Sequence, residues 1–89
     1  MTRHFIIRIF GQVHGMMFRQ SARDKAEALG VRGFVRNDPD GSVYIEAESD
    51  EDALNRFVAW CKKGPAMAQV DSVEVTEGEV KKFLHFDIV

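Results

Sequence analysis

Gly11-Gln12-Val13-His14-Gly15-Met16-Met17-Phe18-Arg19 joins two stretches with different hydrophobic periods. Before it, Phe5-Ile6-Ile7-Arg8-Ile9-Phe10 reads as part of a strand over about His4–Phe10. Phe5, Ile7 and Ile9 would face one side of that strand, and Ile6, Arg8 and Phe10 the other. After it, Phe18, Ala22, Ala26 and Leu29 recur at helical spacing, and Gly30 closes the helix. The motif is therefore a strand-to-helix turn that carries two glycines and an arginine. Such a turn aims several backbone N–H groups at one place, beside the partial positive charge of a helix N-terminus. Arg19 adds a full charge and a planar fork of donors. The simplest ligand for this combination is a phosphate-like dianion.

The order of elements follows from the same periodicities. A second strand is expected over about Val31–Asn37, and a third over Ser42–Glu48. Between them Asp38-Pro39-Asp40-Gly41 is a turn, so the two strands form a hairpin. In the third strand Val43, Ile45 and Ala47 point inward, and Tyr44, Glu46 and Glu48 outward. A second helix begins after Ser49 with Asp50, Glu51 and Asp52 in its first turn. Leu54, Phe57, Val58 and Cys61 make its buried stripe, and Gly64-Pro65 ends it. A fourth strand runs over about Val70–Thr76, and a short terminal one over Leu84–Ile88. Right-handed crossovers place both helices on one sheet face. The expected fold is α+β, a ferredoxin-like βαββαβ sandwich plus a short terminal strand. Its sheet is antiparallel-rich, and its second face is largely open to water.

The bulk properties narrow the class. The chain has 89 residues, the length of one small domain spanning residues 1–89. Hydrophobic residues make up 45%, enough for an ordinary core. No apolar run approaches the ~20 residues of a membrane span, and the N-terminus has no signal-peptide pattern. The single cysteine, Cys61, allows no internal disulfide and fits a reducing compartment. It falls at a core position, so a buried structural thiol is expected. Net charge is −2 and the isoelectric point near 5.9, which argues against non-specific nucleic-acid binding. A cytoplasmic monomer without nucleic-acid or membrane partners is the expectation.

The motifs themselves are specific. Gly11 to Arg19 resembles the acylphosphatase signature Gly-x-Val-Gln-Gly-Val-x-Phe-Arg. Gly33-Phe34-Val35-Arg36-Asn37 followed by Gly41-Ser42-Val43 resembles a second element of that family. Gly64, Pro65, Ala68 and Val70 match a weaker Gly-Pro element, and Phe86 and Ile88 match its closing Phe-x-Ile. The resemblance covers essentially the whole chain. It implies hydrolysis of acyl phosphates to carboxylate and inorganic phosphate, with no cofactor and no metal. It implies that Arg19 grips the phosphate and that Asn37 holds the attacking water. It also implies a cradle of backbone N–H groups at His14, Gly15, Met16, Met17, Phe18 and Arg19. Inorganic phosphate or sulfate would then compete with substrate. Such a reaction suits these residues, because an acyl phosphate already carries a good leaving group. The protein must only hold the anion, stabilise charge and aim a water.

This chain departs from the signature at two places. His14 stands for the family's Gln, and Met16 for its Val. The backbone N–H of His14 survives the exchange, and its imidazole offers a further donor; Met16 is expected to fill the valine's space. A non-catalytic anion-binding or regulatory module on the same fold is the alternative, since fold alone does not fix function. An RNA-binding sheet with Phe10, Phe34 and Tyr44 on its open face is a third reading. The acidic balance and the missing Lys/Arg-Gly-Phe-Gly-Phe pattern oppose it. His4, His14 and His85 share no metal-ligand spacing. Trp60 sits off the main helical stripe and reads as a packing residue.

Overall fold

The computed structural model describes residues 1–89. The chain forms β1 (Arg3–Gln12), α1 (Phe18–Leu29), β2 (Arg32–Asn37), β3 (Val43–Ser49), α2 (Glu51–Lys63), β4 (Gln69–Gly78) and β5 (Phe86–Ile88). The strands make one sheet in the order β4-β1-β3-β2-β5. All pairs are antiparallel except β2 with β5. This is the ferredoxin-like α+β sandwich that the sequence implies. The hairpin turn closes through Gly41 N–H donating to Asp38 O and Asp38 N–H donating to Ser42 O. The Asp40 carboxylate accepts from the Ser42 N–H, an Asx-type contact that the turn sequence favours.

One core lies between the helices and the sheet. Ile7, Ile9, Val35 and Ile45 are fully buried there, against Phe18, Ala22 and Ala26 of α1 and Leu54, Phe57 and Cys61 of α2. Cys61 is sealed in this core, and burial pushes its thiol pKa far up, so it is unreactive. Trp60 stacks on Phe57 at 6.2 Å and leans on Phe18 at 5.6 Å, so it packs the core edge. Val58, expected in the buried stripe, is only half-buried at the rim of the core. No helix is long and apolar enough to cross a membrane.

Several boundaries differ from the sequence reading. β1 runs on to Gln12 and β4 starts at Gln69, because these two residues pair with each other past an irregularity at Phe10/Gly11. Only the partner strand decides how far such pairing continues. The cap of α2 is Asp50, whose carboxylate accepts from Ala53 N–H at 2.8 Å, so the first turn holds Glu51 and Asp52 alone. β5 begins at Phe86. Leu84 lies outside it and is 80% exposed, so the apparent alternation Leu84, Phe86, Ile88 overstates the strand.

The larger correction concerns the second sheet face. Glu46 and Glu48 do point away from the helices, as their alternation requires, yet neither meets water. Glu48 is 0% exposed and Glu46 7%. The connection between β4 and β5 folds over this end of the sheet. Lys81 and Phe83 donate their backbone N–H groups to Glu48, and Lys81 Nζ lies 3.0 Å from Glu46 Oε1. His4, itself buried, places Nδ1 2.6 Å from Glu48 Oε2. Its Nε2 lies 3.0 Å from Glu46 Oε1, an ion-pair distance at an angle too skewed for a hydrogen bond. Phe83 stacks on the His4 ring. On the rest of this face Arg8 and Arg36 stack on the Tyr44 ring at 5.3 and 4.2 Å, and Phe34 lies beside it. Alternation tells which face a side chain takes; it does not tell whether another segment covers that face.

This cluster predicts an acid-sensitive strap. Burial alone would raise the Glu48 carboxyl pKa, but the Lys81 N–H, His4 and the Phe83 N–H outweigh it and hold it below the ordinary range. Burial is likewise outweighed at Glu46 by Tyr44 and Lys81, so its pKa is lowered too. A folded-state value below the unfolded one contributes stability above the unfolded pKa of about 4.3, lost as pH falls through the folded value. Urea unfolding should therefore show stability dropping as pH is lowered below about 5. Glu48→Gln should cost about 1–3 kcal/mol at neutral pH and flatten that acid limb. An unchanged acid limb in the variant would show that other carboxylates govern it.

Candidate active site

The site is built at the end of the sheet where β1 and β2 both terminate. Past Phe10 the backbone of β1 approaches β4 so closely that a Cβ on Gly11 would lie 2.2 Å from Gln69 O. Only glycine fits there. Val13 is buried and anchors the loop. Gly15, Met16 and Met17 then all adopt left-handed backbone, with φ of 75°, 54° and 56°. Successive N–H groups turned in this way form a concavity suited to an anion. The N–H groups of Gly15, Met16, Met17 and Arg19 donate to nothing within the chain. The N–H of Phe18 is different: it donates to Gly15 O at 3.0 Å and closes the turn. Phe18 therefore contributes its buried ring, which fixes the loop on the core, while its donor is already engaged. Met16, expected to fill space within the loop, is instead 41% exposed.

The two helix N-termini contrast. α2 is capped by Asp50 and carries Glu51 and Asp52 in its first turn, so its dipole is already neutralised. α1 starts at Phe18 after a left-handed Met17, has no side-chain cap and has no acidic residue in its first turn. Its positive end is left bare, and Arg19 stands on that first turn without a carboxylate partner. Arg19 lines a pocket of about 210 Å³ with Gly15, Met17, Phe18, Gln20 and Ile88. The structure brings the loop and Arg19 into one pocket lining; the Ile88 wall comes from β5, whose place beside β2 no local pattern announces.

Two further residues tie the loop to the β2–β3 hairpin. His14 Nε2 lies 2.8 Å from Ser42 O. A carbonyl only accepts, so Nε2 carries the proton and donates. The imidazole thus braces the loop against the hairpin, a role that the sequence left open. Ser42 adjoins Val43, which stands opposite Asn37 in the β2–β3 register. Asn37 shares the helix-facing side of β2 with Val35, and Val35 pairs with Ile88 of the pocket wall. So Asn37 stands two residues past the wall, at the same end of the sheet as Arg19 but outside the pocket lining. Its Oδ1 is shielded and accepts no hydrogen bond, and its amide donates none within the chain. An amide that its own chain leaves uncommitted is available to a water or a ligand.

The family model described as Acylphosphatase matches residues 5–88. The chain belongs to the acylphosphatase family. It is similar to an acylphosphatase of Anaeromyxobacter dehalogenans, 51% identical over 69 residues that cover 78% of this chain and 74% of the relative. It is similar to another of Thiobacillus denitrificans, 47% identical over 79 residues, covering 86% and 89%. The crystal structure of the Bacillus subtilis acylphosphatase, 34% identical, matches it with a TM-score of 0.95 over 100% of this chain and 99% of that one. The family, the fold and the acyl-phosphate hydrolase activity implied by the Gly11–Arg19 and Gly33–Asn37 motifs are thereby borne out.

Proposed function

We propose that this acylphosphatase works without a metal, with Arg19 and the Gly15–Met17 loop holding the phosphate and Asn37 aiming the water. The observation that carries the reading is the run of left-handed residues whose uncommitted N–H groups adjoin Arg19 and the bare end of α1. The backbone N–H groups of His14, Gly15, Met16, Met17 and Arg19 donate to the phosphate oxygens, and the Arg19 guanidinium balances their charge. The Asn37 amide orients a water toward phosphorus. As the water oxygen bonds to phosphorus, the bond from phosphorus to the acyl oxygen breaks. The carboxylate leaves with that electron pair, and the water proton passes to a phosphate oxygen of the substrate itself. Charge on the phosphoryl oxygens is met throughout by donors that are already in place, so little reorganisation is needed. His14 holds the loop and the hairpin in register, which keeps the anion site and Asn37 together.

The test is hydrolysis of an aryl acyl phosphate by the purified chain with a chelator present, beside a phosphomonoester. The acyl phosphate should turn over and the phosphomonoester barely react, because no activated nucleophile assists a poorer leaving group. Inorganic phosphate and sulfate should inhibit competitively. Activity lost with the chelator would overturn the metal-independent mechanism, and non-competitive inhibition would move the anion away from this loop.

A further inference from the structure

A large apolar side chain, Met17, is held in the open in the pocket lining, and Met16 precedes it in the chain. Met16 and Met17 are 41% and 71% exposed, so neither gains the burial that would offset a left-handed backbone at a bulky residue. Met17 lines the pocket beside Arg19, Ile88 lines it from β5, and no acidic side chain takes part. A phosphate seated on the loop and Arg19 leaves the acyl group of the substrate to project past these side chains.

We infer that Met17, together with Ile88 in the same pocket lining, forms an apolar rim that receives the acyl group and makes the enzyme select acyl phosphates with aromatic or branched apolar acyl groups. This inference rests on the proposed seating of the phosphate at Arg19. Methionine suits the task because it is unbranched, its sulfur packs well on ring edges, and it readjusts to different shapes. The rim therefore selects for apolar surface and accepts a range of acyl outlines. An acyl chain ending in a carboxylate would be desolvated against apolar side chains that offer no partner, and is disfavoured. The strained backbone has a reason in this arrangement: it turns the N–H groups inward to the anion and the side chains outward to the acyl group.

The test compares kcat/KM for benzoyl phosphate and acetyl phosphate, with inorganic phosphate as a competitive inhibitor. The two released carboxylates are of similar basicity, so the ratio reports contact with the acyl group. The native chain should favour benzoyl phosphate by about tenfold, carried in KM. Met17→Ser should lower that ratio by about 3–10-fold, and Met17→Leu should restore much of it. A ratio unchanged in Met17→Ser overturns the rim. Arg19→Gln separates the two readings: if phosphate still inhibits that variant as before, the seating itself is wrong, whatever the Met17 ratio.

Discussion

Arg19→Gln should give a folded protein that has lost nearly all turnover. Arg19 sits on an exposed first turn of α1 and pairs with no carboxylate, so its removal opens no cavity and orphans no partner. What it removes is the one full positive charge in the pocket lining. Glutamine keeps a donor but loses the charge and the fork. Phosphate affinity should fall by about 10–100-fold, the worth of charge-assisted hydrogen bonds that are lost without an internal substitute. Turnover should fall further, by roughly 10³-fold, since charge on the phosphoryl oxygens grows in importance as the acyl oxygen departs. Calorimetric titration with phosphate and steady-state kinetics measure the two losses, with circular dichroism confirming the fold. A variant that binds phosphate as tightly as the native chain would remove Arg19 from the site.

Asn37→Ala should separate chemistry from binding. The amide lies two residues past the pocket wall and is uncommitted within the chain, so the phosphate does not depend on it. Its loss should leave phosphate affinity close to native while kcat falls by roughly 10²-fold, the mark of an interaction felt mainly in the transition state. Stability gives a second reading of the same variant. The side chain makes no hydrogen bond within the chain, so its removal should leave thermal stability close to native. Asn37→Asp should be the slower enzyme of the two, because a carboxylate there repels the dianion. Full kcat in Asn37→Ala would end the water-positioning role. A marked loss of stability would show that the amide serves the fold instead.

The strands, helices and turns of this chain are legible from its sequence because each is set by local rules. Alternation at Phe5, Ile7 and Ile9, helical spacing at Phe18, Ala22 and Ala26, and the Asp38–Gly41 turn act over a few residues and agree with one another. The strand-to-helix loop is legible for the same reason: Gly11 and Gly15 mark backbone that other residues resist, and Arg19 follows at the helix start. Tertiary structure alone decided the rest. Glu46 and Glu48 alternate outward in the sequence, but only the β4–β5 connection, more than thirty residues on, buries them with His4. The imidazole of His14 found its acceptor at Ser42 O across the hairpin, and Ile88 reached the pocket through a parallel pairing with Val35. The engaged donor of Phe18 and the uncommitted amide of Asn37 depend on where each backbone and side-chain group finally points. Periodicity and turn chemistry fix which face and which bend a residue takes; contacts between distant segments depend on packing free energy summed over the whole core, which no local window contains.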